Sequence, residues 1–299
     1  MNFKQLKYFY EIANEKQITR AAKKLHISQP PLSQSLQALE ATLGCALFER
    51  NGHTMELTEA GEVLYEKTKK LLDEIDDTMR EVKETGQGVR GSITIGCNRS
   101  CFAHIPQAVR QFQQHFPHVQ IQLIEGDSYQ LTNQLLRREI ELAIIRLPAD
   151  LEKFHYFRLP DEKYVAMVSK QYLSEKNKTT ITIKELSELP LFLLHRIKGT
   201  GQFEIFMNMF QKNDLTPYII GESPNVDMII GLIKEGLGAT ILPESICHQE
   251  HSSNIHVLEI EDVELISKSA VLTLKERYLS KKTKRFIQLL QTNRHHIYK

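Results

Sequence analysis

The first part of the chain carries its apolar residues at helical spacing. Leu6, Phe9, Tyr10 and Ala13 fall at i, i+3, i+4 and i+7, which predicts a helix with one buried face. After a break at Asn14–Gln17, Ile18, Ala21, Ala22 and Leu25 repeat the spacing, and the two alanines leave room for another helix to approach. His26 and Ile27 make a tight connection, Ser28 is a natural N-cap, and Pro30 and Pro31 suit a first helical turn. The next helix is expected to bury Leu32, Leu36, Leu39 and Leu43. At about 100° per residue, Pro30, Ser33, Gln34, Gln37 and Ala41 then point away from the leucines. That face is small, polar and almost uncharged, which suits contact with base edges in a groove. Helix, short turn and second helix with an exposed polar face is the helix-turn-helix arrangement. A small bundle with a solvated Ser/Gln face shares the pattern, and residues 44–57 separate the two. Gly44 is placed to end the helix. Asn51-Gly52 then predicts a hairpin, with Arg50 beside its turn as a phosphate-reaching wing.

From Glu59 to Thr85 there is no proline. Leu64, Leu71 and Thr78 form one heptad stripe, and Thr68, Ile75 and Val82 a second, giving a seam with two imperfect positions. This reads either as a helix that pairs two chains or as a core helix within one chain. Gly86–Gly91 predicts a flexible hinge. Beyond it the periodicity changes. Strands are expected at Ser92–Cys97, Val119–Ile124, Leu142–Ile145, Tyr164–Ser169, Leu191–Leu194, Ala239–Leu242 and Ser269–Leu274. Helices are expected at 105–116, Ser128–Arg138, Phe203–Lys212, Asn225–Glu235 and Thr283–Gln291. The alternation implies an α/β fold with a mostly parallel sheet.

Composition narrows the functional classes. With 299 residues, 41% hydrophobic and 25% charged, the chain is an ordinary globular protein with room for two or three domains. The net charge of +1 does not announce nucleic acid. Residues 1–58 hold seven basic and five acidic residues, and residues 59–88 five basic and nine acidic, so the helix after the hairpin is not expected to lie along DNA. No apolar stretch approaches the roughly 20 residues of a membrane span, and the N-terminus lacks the apolar core of a signal peptide. A cytoplasmic protein with no membrane partner is expected. No Ser/His/Asp order, HExxH, Walker loop or GxGxxG appears, so no catalytic residues, no metal site and no cofactor are predicted.

Several segments together resemble the LysR-type transcriptional regulators: Ala21–Leu36, Leu39-Glu40, Leu43-Gly44, Leu47-Phe48-Glu49-Arg50 and Leu57-Thr58-Glu59-Ala60-Gly61. They keep family order and spacing over about 45 residues. Gly231–Pro243 is similar to the family's second-lobe pattern. The one departure is Pro31, where the family often has alanine. The resemblance implies a winged helix-turn-helix at 1–58, with the reading motif at about 18–37, and a dimerising linker helix at 59–88. It also implies an effector domain at 91–299, of two lobes like type II periplasmic binding proteins. Lobe one would take about 91–161 and 267–299, and lobe two about 162–266. Gln29, Pro30, Ser33 and Gln34 match positions that approach bases, with Pro31 and Gln37 on the same helix, and Thr19, Ser28 and Arg50 would meet the backbone. Double-stranded DNA, a second copy of the chain, a tetramer and a small-molecule effector follow as implied partners, with RNA polymerase a further candidate.

Ligands of open α/β sheets bind beyond the carboxyl ends of strands. This selects the loops carrying Arg99, Ser100, Ser128 and Arg146, and the stretch from His195 to Phe203 with Lys198, Thr200 and Phe203. Ser100 and Arg146 match positions where the family often contacts effectors. Gly199-Thr200-Gly201 precedes a helix, where backbone N–H groups suit an anion. Arg99, Arg146, Arg196 and Lys198 make the set basic, so a small carboxylate effector is expected. The alternative is that these arginines pair with internal carboxylates. A second function on the same scaffold is a thiol redox sensor using Cys97 and Cys101. Among the family's redox members the cysteine pair lies in the second lobe, and His195–Phe210 here has none.

Overall fold

A computed structural model of the chain describes residues 1–51, 54–87, 90–173, 178–196, 201–247, 250 and 252–292. The chain divides into two compact units, Met1–Gly86 and Gln87–Lys299.

The first unit opens with α1 (Phe3–Glu15), whose N-terminus is fixed by a reciprocal capping box between Asn2 and Gln5. Lys16 turns the chain through the left-handed region, and α2 (Ile18–Lys24) comes next. Ser28 stands at the N-cap of α3 (Gln29–Leu43), although its side chain makes no capping hydrogen bond. Gly44, at φ 71°, ends that helix. The wing is the antiparallel pair β1 (Phe48–Asn51) and β2 (Thr54–Leu57), with Asn51 opposite Thr54. Its turn residues, Gly52 and His53, lie outside the described residues. Phe9, Ile12, Ala21, Ala22, Leu32, Leu36 and Leu39 form the core, closed by Leu47, Phe48 and Met55 of the wing. Leu43 departs from the sequence reading, since it is 39% exposed. It lies one turn beyond Leu39, where the wing rather than α3 closes the core.

Helix α4 (Glu59–Gln87) runs 29 residues and continues through Gly86, the first residue of the expected hinge. Gly88 and Val89 lie outside the described residues. The predicted seam divides in two. Leu64, with Tyr65, packs on the core of the first unit, and Tyr65 donates a 2.7 Å hydrogen bond to Asn14 Oδ1. Thr68 is buried, whereas Leu71, Ile75, Met79 and Val82 are exposed and continue along one helical flank.

The second unit holds two sheets. In chain order its elements are β3 (Gly91–Cys97), α5 (Ile105–His115), β4 (Val119–Glu125), α6 (Ser128–Leu136), β5 (Leu142–Arg146), β6 (Phe154–Arg158) and β7 (Glu162–Ser169). Next come β8 (Thr180–Ile181), α7 (Ile183–Glu188), β9 (Leu191–Leu194), α8 (Gln202–Lys212), β10 (Ile219–Ser223), α9 (Val226–Lys234), β11 (Ala239–Pro243) and α10 (Glu244–Cys247). The last are β12 (Ile255–Ile260), β13 (Ile266–Ser267), β14 (Ser269–Leu274) and α11 (Lys281–Thr292). One sheet runs β4-β3-β5-β14-β6. The other runs β10-β9-β11-β7-β12-β8, with β13 on β7. The sheets are mixed, which corrects the expectation of a mostly parallel one. β14 runs antiparallel to β5 and β6, and β7 antiparallel to β11, β12 and β13. The reason is connectivity. The chain leaves lobe one through β6 into β7 and returns through β13 into β14, and each crossing puts a reversed strand inside a parallel set.

Both sheets are covered on two faces. In β5, Leu142 and Ile144 face the helices α5 and α11, while Ala143 and Ile145 face α6. In β7, Tyr164, Ala166 and Val168 face one layer, and Val165 and Met167 the other. Burial on both sides explains why these strands read as unbroken apolar runs.

Gly238 sets up the meeting of β11 and β9. Its φ is 90°, and a Cβ there would lie 2.0 Å from the Pro190 carbonyl oxygen. Gly238→Ala is therefore expected to destabilise the chain by about 2 kcal/mol or more. Gly231→Ala, on α9 with nothing within 4 Å of the added methyl, should be neutral or stabilising. Urea unfolding followed by circular dichroism checks both, and equal stabilities would contradict the assignment.

Candidate DNA-reading face and effector cleft

In the first unit, α3 presents its polar side outward. Gln29, Pro30, Pro31, Gln34 and Gln37 are exposed, and Ser33 is half-buried. Thr19 on α2 and Ser28 at the start of α3 are exposed as well. Arg50 lies on β1 opposite Met55. Leu32, Leu36 and Leu39 hold the helix down from its other side. The backbone N–H of Leu47 donates to Glu40 Oε1 at 2.8 Å, which ties the wing to α3.

In the second unit, a cavity of about 350 Å³ opens between the two sheets. Lobe one supplies Asn98, Arg99, Ser100, Asp127, Ser128 and Arg146, and lobe two Leu194, Arg196, Gln202, Asn225 and Val226. The strand-end rule thus brings Arg99, Ser100, Ser128 and Arg146 together. Phe203 instead stacks on His195, with ring centroids 4.3 Å apart, and packs on the core of lobe two. Lys198 and Thr200 lie outside the described residues, as does Gly199.

Asn98 clasps the lobe-one side. Its Nδ2 donates to the Gly126 carbonyl at 2.7 Å, and its Oδ1 accepts from the Arg146 backbone N–H at 2.5 Å. Ser128 Oγ lies 3.1 Å from Asn98 Oδ1 and 2.9 Å from the Arg146 carbonyl, and its single proton serves one at a time. Arg146 lines the cavity, yet its guanidinium is 2% exposed and turned into the protein. Nη1 donates to Glu162 Oε1 at 2.7 Å and to Ser267 Oγ at 2.8 Å, and Nη2 donates to the Ser100 carbonyl. Glu162 opens β7, and its second oxygen accepts the Ser245 backbone N–H at 2.9 Å. The internal carboxylate alternative is therefore the geometry observed for Arg146.

Two further arginines cross between the lobes. Arg99 Nε donates to Asp227 of α9 at 3.0 Å, with Glu250 3.9 Å from Nη2. Arg196, after β9, donates to the carbonyls of Pro148 at 3.0 Å and Arg146 at 2.9 Å, and to Ser128 Oγ at 3.1 Å. Neither Asn98 nor Gln202 carried a sequence signal of its own, although both lie in stretches that the strand-end rule selects.

The cysteine pair is buried. Burial pushes the Cys97 thiol well above its usual value, and the Cys101 thiol upward too. A reactive cysteine needs the opposite setting, exposed and electropositive, so the geometry gives no support to redox sensing here. Among the described residues no group of His, Cys, Asp and Glu could hold a metal, and no helix is long and apolar enough to cross a membrane.

A helix-turn-helix unit joined to a two-lobed α/β unit with an interlobe cavity defines a ligand-responsive DNA-binding regulator. Residues 3–62 match the family model described as "Bacterial regulatory helix-turn-helix protein, lysR family", and residues 86–294 the one described as "LysR substrate binding domain". The chain belongs to the LysR family of transcription regulators. It is 32% identical over 290 residues to the HTH-type transcriptional regulator BsdA of Bacillus subtilis (strain 168), covering 97% of this chain and 100% of that protein. The fold is shared with full-length CbnR in complex with its target DNA, at 23% identity and a TM-score of 0.64, covering 98% of this chain and 99% of that one. A full-length OxyR variant from Pseudomonas aeruginosa matches at 23% identity and a TM-score of 0.66, covering 99% and 95%. Its relatives being regulators, the chain is a DNA-binding transcription regulator and not an enzyme.

His104, next to this site, makes a pH prediction. It is 4% exposed, and neither ring nitrogen has a hydrogen-bond partner among the described residues. Burial, reinforced by the charge of Arg146, pushes its pKa down to about 4. Between that value and the ordinary histidine value of about 6.5, the unfolded chain binds the extra proton. Stability present above about pH 6.5 is therefore lost as pH falls towards 4, by about 1 kcal/mol at pH 5.5. Urea titrations at pH 7.5 and 5.5 should show wild type losing that much more than His104→Leu. Equal losses would contradict the assignment.

Proposed function

We propose that this regulator binds its operator as a dimer joined through α4 and that a small carboxylate in the interlobe cleft controls it. The observation that carries the effector half is the composition of the cleft. It is lined from both lobes, and Arg99 and Arg196 both reach across it. A ligand seated there changes the contacts that set lobe closure, which is how differential binding shifts a conformational equilibrium. Ser100, Ser128, Arg99 and Arg196 are the proposed contacts, with Lys198 and Thr200 added on sequence grounds alone. Arg146 acts on the ligand through the clasp on its backbone rather than through its guanidinium.

Support for the dimer comes from α4, where Leu71, Ile75, Met79 and Val82 leave an apolar flank in solvent. Two copies would place two α3 helices about one DNA turn apart on a two-fold site. Gln29, Pro30, Ser33, Gln34 and Gln37 would read bases, and Thr19, Ser28 and Arg50 would hold the backbone, with Pro31 fitting the first turn. The setting is the cytoplasm, and a tetramer and contact with RNA polymerase extend the same reading.

Footprinting on DNA upstream of the protein's own gene, with sedimentation of the same samples, tests it. Wild type should protect a two-fold site. Leu71→Asp with Ile75→Asp should sediment as a monomer and lose the footprint. Gln34→Ala should sediment as wild type and bind about tenfold more weakly. Small carboxylates should raise the Tm of wild type more than that of Arg196→Ala. A monomeric wild type contradicts the dimer, and equal shifts in Tm contradict the effector assignment.

A further inference from the structure

The cleft carries charges of both signs. Of its lining arginines, Arg146 is answered by Glu162 and Arg99 by Asp227, and neither of those carboxylates is among the described lining residues. Arg196 donates to two carbonyls and to the Ser128 hydroxyl. Two carboxylates do line the cavity, Glu125 and Asp127. Asp127 is engaged as the N-cap of α6, where its Oδ1 accepts the Gln130 backbone N–H at 2.7 Å. Glu125, the last residue of β4, is exposed and has no hydrogen bond or ion pair among the described residues.

Lobe two faces this carboxylate with donors. Asn225 caps α9, its Oδ1 accepting the backbone N–H groups of Asp227 at 2.9 Å and Met228 at 3.1 Å. An amide fixed through its oxygen keeps two N–H donors on its nitrogen, and those of Asn225 have no partner among the described residues. Arg196 adds its guanidinium from the same lobe. A plain carboxylate between these walls gains from lobe two but meets like charge at Glu125, which counts against it. An ammonium on the same ligand turns that repulsion into a charge-assisted hydrogen bond. The sizeable apolar members of the lining, Leu194, Pro224 and Val226, suit a small aliphatic remainder.

We propose that the effector is a small amino acid, held by its carboxylate at Arg196 and Asn225 and by its ammonium at Glu125. This rests on the carboxylate reading of the cleft and makes Glu125 the residue that selects among acids. The two charged ends of such a ligand engage opposite lobes.

Calorimetric titration of the full-length protein with three matched pairs provides the test: alanine against propionate, glutamate against glutarate, and leucine against 4-methylpentanoate. In at least one pair the amino acid should bind wild type at least about tenfold more tightly. Glu125→Gln keeps the shape and removes the charge, so the preference should shrink to within about threefold, and the plain acids should bind the variant no more weakly than wild type. The Tm of the ligand-free variant should match wild type, because an exposed carboxylate without a partner is lost. A fall in Tm would mark a structural role and overturn the proposal. Equal binding within every pair, or a preference that survives in Glu125→Gln, overturns it too and leaves the carboxylate reading standing. Heat from none of the six acids overturns both.

Discussion

The second unit depends on a single buried ion pair. Arg146 ends β5 of one sheet and Glu162 begins β7 of the other, and both crossover strands pass beside them. Ser267, the last residue of β13, accepts from the same guanidinium, and Ser269, the first of β14, pairs with Arg146 across the sheet. The pair sits where the two lobes are joined covalently. Two charges at this depth are tolerable only when each is matched and hydrogen-bonded. Here Ser100, Ser267 and the Ser245 N–H complete the shell. Removing either charge strands the other.

The cleft inherits its geometry from that pin. With the Arg146 side chain held inside, its backbone N–H and carbonyl are fixed at the cavity wall, where Asn98, Ser128 and Arg196 converge on them. Arg196 arrives from lobe two, so one carbonyl of lobe one is a direct contact between the lobes. Arg99 and Asp227 make a second crossing at a more exposed position, which is weaker by screening. A buried pair flanked by two more exposed crossings is an arrangement compatible with hinge motion.

Much of this was legible from residue order. The helical spacing around Ala21, Ala22, Leu32 and Leu36 forecast the DNA-binding core, because packing faces follow backbone period. Asn51-Gly52 forecast the wing, and the doubly covered strands β5 and β7 showed as apolar runs. Other features depended on partners distant in sequence. β6, β10 and β12 alternate weakly, and their place in a sheet comes from neighbours far along the chain. The reversed strands follow from two crossings that no local pattern records. Arg146 was visible as a strand-end cation, but whether it faced a ligand or Glu162 depended on tertiary placement. Gln202 carried no signal, because its burial beside Tyr164 is a property of the fold alone.

Arg146 and Glu162 thus join the lobes, and the Arg146 guanidinium is engaged by Glu162, Ser267 and Ser100 rather than turned into the cleft. A double-mutant cycle read by urea unfolding tests this most directly. Arg146→Met and Glu162→Met should each cost about 3–5 kcal/mol, and the double variant should lose clearly less than their sum. Strictly additive losses would contradict the pin. So would an Arg146→Met protein of wild-type stability that no longer binds any acid.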